Sequence, residues 1–166
     1  MKKLLILFLI IFTLSSTPAF ANSLGLTKTD LIILNKIKSL TDEPMMKYTL
    51  MAIAIKESSV GKNQINYESN DYGLFQSNIK SVLRRQYVAD NYQNRLFFAK
   101  KLLNDVGFAT ANAIVEIDYW RGVHKDNWPK IWASYNAGWS YKGEVGFKYA
   151  SSILSIIKKL NTEYNL

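Results

Sequence analysis

The stretch that decides the fold is AIAIKESSVGK, residues 52–62, where an apolar run from Leu50 to Ile55 passes directly into Lys56 and Glu57. On a helix, the positions three, four and seven residues before Glu57 share its stripe, and all three are apolar. The carboxylate therefore stands where the pattern predicts an apolar side chain. Partial burial and the negative end of the helix dipole both raise the pKa of such an acid, which suits it to donate a proton. An acid that reaches water past the last turn fits the same pattern.

Helical periodicity surrounds this stretch and predicts a mainly α fold. The predicted helices cover residues 27–40, 41–58, 84–106, 109–121, 129–137 and 147–160. The second of them is apolar nearly all round, which predicts a central, buried position. Asn, Ser, Asp and Gly cluster in residues 62–80 and predict a loop or a small β-like element. The expected architecture is a single helical domain with a small irregular or β-like insertion after the helix that carries Glu57.

The first 21 residues have the pattern of a secretory signal peptide. Lys2 and Lys3 precede the apolar core LLILFLIIFTL, and Ala19-Phe20-Ala21 forms a small-x-small cleavage pattern. The core is shorter than the roughly 20 residues of a membrane span. We expect cleavage after Ala21, one domain over residues 22–166, a periplasmic or cell-wall location, and membrane contact through the signal only. An uncleaved anchor is the alternative.

The charge balance indicates an anionic partner. The chain carries a net charge of +8, with two of its 21 basic residues and none of its 13 acidic residues in the signal, so the remainder carries +6. Nucleic acid, an anionic membrane surface and an anionic wall polymer all suit a basic protein. Basic pairs such as Arg84-Arg85 come without a nucleic-acid-binding motif and predict solvated helix faces, so no nucleic acid is expected. Because the chain has no cysteine and one histidine, His124, we expect no metal and no other cofactor.

Three motifs follow one another along the chain: ESSVG at 57–61, GLFQSN at 73–78 and ASYNAG at 133–138. In this order they resemble the soluble lytic transglycosylase domain of the lysozyme-like superfamily. That family carries a Glu-Ser motif, a Gly-Leu-Met-Gln motif and an Ala-Tyr-Asn-Ala-Gly motif. Phe75 stands here at the Met position, and Ser77 stands where the family often has an apolar residue.

The resemblance spans about residues 45–155 and implies an α+β lysozyme-like fold. It implies cleavage of the β-1,4 bond between N-acetylmuramic acid and N-acetylglucosamine in peptidoglycan strands, with formation of a 1,6-anhydro ring. Glu57 matches the catalytic acid, which protonates the glycosidic oxygen and then acts as base on the muramic C6 hydroxyl. The residues that the resemblance places at the substrate or beside the acid are Ser58, Gly73, Phe75, Gln76, Asn78, Tyr135, Asn136 and, by a looser match, Tyr149.

Two further expectations accompany the resemblance. Trp139 directly follows the YNAG turn, and it is the best candidate among the tryptophans for stacking on a sugar ring. Small exported enzymes of this kind resemble those that open the wall for secretion or conjugation machinery, so such an apparatus is an expected partner by analogy.

Asp71 leaves the reaction open. The segment NDYGLFQSN, residues 70–78, also resembles animal-type lysozymes, in which a second carboxylate supports retaining hydrolysis. Asp71 follows Glu57 by 14 residues, a spacing that a loop return could close, although an aspartate here is equally a turn former. Three interpretations follow: a transglycosylase, a muramidase that uses Glu57 and Asp71, and a wall-binding module without activity.

Overall fold

The computed structural model describes residues 23–164 and Leu166, so the predicted signal peptide lies outside the described residues. The described part consists of α-helices, one 3₁₀ turn (Gly138–Ser140) and a small sheet. The helices are α1 (Lys28–Lys38), α2 (Pro44–Ser58), α3 (Ile79–Arg85), α4 (Tyr92–Asn104), α5 (Val106–His124), α6 (Trp128–Ala137) and α7 (Glu144–Glu163). The strands are β1 (Ile65–Asn66), β2 (Asp71–Tyr72) and β3 (Ser77–Asn78). The predicted mainly α class with a small β insertion is confirmed.

Helix α2 runs through the centre of the molecule. Pro44 occupies its first turn, where no backbone N–H is needed, and five consecutive residues, 50–54, have no exposed surface. The helix packs against α1, α5 and α7, which together cover its circumference. Its apolar sequence therefore produces the central position that the pattern predicts, and a rigid support for its last turn.

The chain leaves α2 through three successive left-handed residues. Ser59 has φ +52°, Val60 has φ +59° and Gly61 has φ +88°. The turn begins at Ser59, directly after the last residue of the helix predicted over 41–58. It directs the chain into the sheet, whose strands pair antiparallel in the order β1, β2, β3.

Gly73 closes the turn after β2 and could not be another residue without strain. Its φ is +82°, and a Cβ there would lie 2.3 Å from the carbonyl oxygen of Leu102 in α4. Its N–H donates to the carbonyl of Gln64 at 2.8 Å. The loop that follows, residues 73–78, is thereby held against α4.

The single helix predicted over 84–106 is wrong, because the chain breaks into α3 and α4. Tyr87 adopts a left-handed conformation with φ +54°, which ends α3. Asn91 then caps α4, its side chain accepting from the N–H of Asn94 at 2.9 Å. Periodicity continues through this break, whereas the turn and the cap are local signals of polar residues.

Helices α6 and α7 pack along each other more extensively than any other pair of elements in the described residues. Trp132 is buried in the core, as expected for a tryptophan at helical spacing, and its Nε1 donates to Oγ1 of Thr49 in α2 at 3.0 Å. This arrangement carries Tyr149 of α7 to the end of α2. No helix in the described ranges has the length and apolar content needed to cross a bilayer.

Candidate active site

Glu57 lies in the last turn of α2, half-buried beneath α7. The hydroxyl of Tyr149 donates to its Oε1 at 2.5 Å, and Tyr149 itself is only 5% exposed. Burial of the carboxylate raises the pKa of Glu57 above its ordinary value. The hydrogen bond from Tyr149 and the charge of Lys56 oppose the rise, and the charge of Asp71 adds to it. The result is an acid that keeps its proton to higher pH than a solvated glutamate.

Ser58, the next residue along the chain, anchors the last turn of α2 from the buried side. Its hydroxyl is fully buried and donates to the carbonyl oxygens of Ala54 at 3.1 Å and Leu74 at 2.9 Å. It also accepts from the N–H of Gly61 at 2.9 Å. Ser58 therefore ties the end of α2 to the 73–78 loop, and its side chain lies away from the surface that a substrate would contact.

The 73–78 loop is held on its other side by α6. The hydroxyl of Tyr135 donates to the carbonyl oxygen of Phe75 at 3.0 Å, while the Phe75 ring is fully buried in the core. Gln76 has φ +47°, and its Nε2 donates back to the carbonyl of Gly73 at 3.1 Å. Burial raises the pKa of Tyr135 far above its ordinary value, with a further contribution from the charge of Glu57. Tyr135 thus stays neutral and lies within the electrostatic reach of the acid.

A polar cleft of about 270 Å³ is lined by Asp71 and Tyr135, the two cleft residues that interact electrostatically with Glu57, although Glu57 is not itself part of the lining. Asp71 lies in it and accepts from Nδ2 of Asn78 at 2.9 Å, and Asn78 also caps α3 by accepting from the N–H of Lys80. The lining consists of Asp71, Gln76, Ser77, Asn78, Ser81, Arg85, Glu116, Tyr135 and Asn136. Hydrogen-bond donors and acceptors therefore face the cleft from the sheet, from α3, from α5 and from α6.

The structure brings together most of the candidate residues named from the sequence, but not all. Five of them line the cleft, namely Asp71, Gln76, Asn78, Tyr135 and Asn136. Glu57 and Tyr149 bind each other outside that lining, and Glu57 interacts electrostatically with Asp71 and Tyr135. The other three near the acid, Ser58, Gly73 and Phe75, are buried and support the loop. Trp139 lies outside the lining with 68% of its surface exposed, and its ring meets the edge of Trp120 with centroids 5.1 Å apart.

Sequence reasoning missed an ion pair in the cleft. Arg85 pairs with Oε2 of Glu116, and the other carboxylate oxygen of Glu116 accepts from Nε1 of Trp120 at 2.9 Å. The two basic neighbours differ, since Arg84 is exposed and Arg85 is half-buried. The sequence does mark Glu116 as unusual, because this acid interrupts the apolar stretch AIVEI of residues 113–117. Glu57 likewise stands on the apolar stripe of its helix.

His124, the single histidine of the chain, is the last residue of α5 and is half-buried. Its Nε2 shares a hydrogen bond of 2.8 Å with Oγ of Ser134, and its ring stacks on Trp120. Burial lowers its pKa below the ordinary value. Ser134 is almost completely buried, so this pair serves the packing between α5 and α6.

A half-buried acid at the end of a central helix, followed along the chain by a small antiparallel sheet, is typical of the lysozyme-like fold. Comparison with known families agrees, since the model described as the transglycosylase SLT domain matches residues 35–152. The chain belongs to this family, a member of the lysozyme-like superfamily.

One phage relative is also similar to this chain. It is described as "Uncharacterized 20.7 kDa protein in vs-regB intergenic region" of Enterobacteria phage T4, and it is 33% identical over 108 residues. The match covers 64% of this chain and 58% of the relative, so the chain spans less than two thirds of that protein's length. No solved structure matches the chain.

Proposed function

We propose that the chain is a peptidoglycan lytic transglycosylase that cleaves the β-1,4 bond between N-acetylmuramic acid and N-acetylglucosamine and leaves a 1,6-anhydro muramic end. The observation that supports this most is the environment of Glu57. Its pKa is raised by burial, and one of its two oxygens is held by Tyr149. A single acid poised in this way suits a reaction in which one residue acts as acid and then as base.

The reaction needs two proton transfers through Glu57. Because Tyr149 occupies Oε1, the transferable proton resides on Oε2, which donates it to the glycosidic oxygen as the bond to C1 breaks. The carboxylate then accepts the proton of the muramic C6 hydroxyl while that oxygen bonds to C1 and closes the ring. Glu57 ends protonated, as it began, and no water is consumed.

The cleft residues hold the strand in this proposal. Gln76 and Asn136 carry side-chain amides, which can donate to and accept from an N-acetyl group. The carboxylate of Asp71 faces the same space and stabilises the positive charge that develops at C1. The net positive charge of the chain supports association with the anionic wall.

A muramidase is the second candidate, and Asp71 is the observation in its favour. Asp71 lies in the cleft, and its negative charge contributes to the raised pKa of Glu57. A retaining glycosidase places its second carboxylate roughly 5–5.5 Å from the acid and uses it as the nucleophile. The product would then carry a reducing muramic end.

The product mass separates these candidates. Purified peptidoglycan is digested with residues 22–166, and the soluble fragments are analysed by mass spectrometry. We expect fragments one water lighter than hydrolysis products, and reducing muramic ends would instead establish the muramidase. Asp71→Asn is the matched variant: a transglycosylase keeps measurable activity and the same products, whereas a muramidase that uses Asp71 as nucleophile loses them.

The wall-binding module is tested by Glu57→Gln, which keeps the size and the hydrogen bond but removes the transferable proton. We expect lysis to fall by about 10²–10⁴-fold, the usual contribution of a general acid, while binding to insoluble walls is kept. Lysis at the parental rate would contradict a catalytic role for Glu57.

Export and recruitment are also part of the proposal. We propose that the segment 1–21 directs the chain across the membrane to the wall, in the service of a secretion or conjugation apparatus. N-terminal sequencing of the protein recovered from the periplasm tests the first point, with Asn22 as the expected first residue. Loss of transfer or secretion in cells that carry only the Glu57→Gln form tests the second.

A further inference from the structure

A second groove joins the cleft at Arg85. It has a volume of about 430 Å³, within the roughly 300–1,000 Å³ of ligand sites, and it lies between the end of α3 and the first half of α5. We call it the Tyr87 groove; it is lined by Arg85, Gln86, Tyr87, Phe108, Ala111, Asn112 and Val115. Arg85 lines both the cleft and this groove, so a chain that branches from a strand in the cleft could enter the groove directly.

Arg85 is the only charged residue among those that line the groove, and it is held in place. Glu116 engages its Nη2, while Trp120 holds the other oxygen of Glu116. A guanidinium has five N–H donors in a rigid plane, so one engaged nitrogen leaves others to bind a second carboxylate. The ion pair thus prepares a fixed anion-binding group where the groove begins.

Tyr87 combines a left-handed backbone with an exposed ring at the edge of the groove. Its φ of +54° belongs to a position that usually carries Gly or Asn at the end of a helix, where a β-carbon is unfavourable. Its side chain is 96% exposed, so burial does not repay this cost. A strained, exposed aromatic residue beside a groove indicates a binding function for its ring.

The remaining lining is apolar or neutral. Phe108, Ala111 and Val115 form one side of the groove, and Val115 leaves 52% of its surface exposed. A ligand that fits the groove therefore carries a carboxylate for Arg85 and small apolar groups for the remaining lining, and it has the size of a few amino-acid residues. A peptide stem of peptidoglycan has this chemistry, and it branches from the muramic acid of the same strand.

We propose that the Tyr87 groove binds the peptide stem of peptidoglycan, with Arg85 pairing a stem carboxylate and the ring of Tyr87 packing over the stem. This inference rests on the proposed function, because the strand in the cleft brings the stem to the groove. It makes stem-bearing strands better ligands than bare glycan of the same length.

Binding to the inactive Glu57→Gln protein tests the proposal. Two ligands of equal glycan length are compared by calorimetry, one with tetrapeptide stems and one from which an amidase has removed them. Tyr87→Asn suits the left-handed backbone and removes the ring. We expect it to weaken binding of the stem-bearing ligand by about 2–10-fold, the range of an aromatic contact, and to leave the bare glycan unchanged.

Arg85→Gln provides the second variant and Arg84→Gln its matched control, since the two arginines are neighbours and only Arg85 lines the groove. We expect Arg85→Gln to reduce the preference for stem-bearing ligand, and Arg84→Gln to leave the preference intact. Equal losses on both ligands, or no loss on either, would overturn the inference while the product analysis still decides the proposed function. If neither ligand binds, titration of the isolated stem peptide decides: chemical shifts confined to the groove support it, and their absence refutes it.

Discussion

The hydroxyl of Tyr149 meets Oε1 of Glu57 at 2.5 Å and joins α7 to the last turn of α2. The two groups are 92 positions apart in sequence, yet each changes the ionisation of the other. Burial raises the pKa of Glu57, and the Tyr149 bond restrains that rise. The pKa of Tyr149 is raised well above its ordinary value by burial and by the charge of Glu57, so the phenol stays a donor.

Tyr149→Phe tests this relationship through the pH profile of lysis. Without the bond the carboxylate loses a favourable partner, so its pKa rises further and the alkaline limb of the profile moves to higher pH. A hydrogen bond to a charged group contributes about 1.5–3 kcal/mol, so we expect the maximal rate to fall by roughly tenfold or more. Tyr92→Phe, at an exposed position, is the control. A limb that stays in place or moves to lower pH would contradict the assignment.

Glu57→Gln should stabilise the fold at neutral pH. The folded pKa of Glu57 is raised above its unfolded value of 4.5, so its contribution to stability is fully present below pH 4.5 and is lost as the pH rises through the folded pKa. Glutamine does not titrate and still accepts from Tyr149. We expect the two proteins to have similar Tm values near pH 4, and the variant to melt higher at pH 7.5.

The exposed Glu68 gives the matched control, since Glu68→Gln removes the same charge without a burial cost. Thermal unfolding followed by circular dichroism from pH 4 to 8 measures both differences. A Tm gain for Glu57→Gln that is equally large at pH 4 would show that burial of the charge is not its cause.

The sequence predicts the part of the site that local pattern determines. The stripe around Glu57 predicts both its helix and its partial burial, since helical periodicity is a property of neighbouring residues. The order of the three motifs also predicts the family and the loop that faces the acid. These features follow from local sequence and do not depend on how distant elements pack.

The rest depends on packing that no local pattern encodes. Arg85 of α3 and Glu116 of α5 meet only in the folded chain, and their sequence separation of 31 gives no signal. Likewise, Ser58 and Phe75 belong to the motifs, but their side chains point into the core once the loop is in place. Motif membership therefore identifies the neighbourhood of the site and does not determine which side chains face the substrate.

Gly73→Ala should destabilise the protein by about 2–5 kcal/mol. The left-handed backbone costs an alanine about 1–2 kcal/mol, and the methyl group would overlap the carbonyl oxygen of Leu102, an overpacking that costs about 1–3 kcal/mol more. The displaced loop also carries Gln76, so we expect lysis to fall. Urea unfolding measures the stability.

Gly122→Ala is the control for that change. Gly122 lies within α5, where a Cβ would meet no heavy atom within 4 Å. At this position alanine should stabilise the folded protein by about 0.5–1 kcal/mol, because it restricts the conformations of the unfolded chain. Equal effects at the two glycines would show that the approach to Leu102 does not constrain the loop.

Asp30 connects α1 to the segment that follows α2, and its charge should matter for stability. Its Oδ2 accepts from Nζ of Lys62 at 2.8 Å and from the N–H of Thr27 at 2.8 Å, and the bond from Lys62 holds the pKa of Asp30 below its ordinary value. A lowered pKa contributes stability above the unfolded value of 3.8, and that contribution is lost as the pH falls through the folded pKa.

Asp30→Asn keeps the acceptor for Thr27 and removes the charge that faces Lys62. We expect a loss of about 0.5–1 kcal/mol at pH 7, because Lys62 is largely exposed, and a loss that shrinks as the pH falls below 3.8 and disappears below the folded pKa of Asp30. Asp42→Asn, at an exposed position just before α2, should have no comparable effect. A loss at pH 7 that did not shrink at all as the pH fell below 3.8 would mean that the shape of the cap, and not its charge, secures the chain after α2.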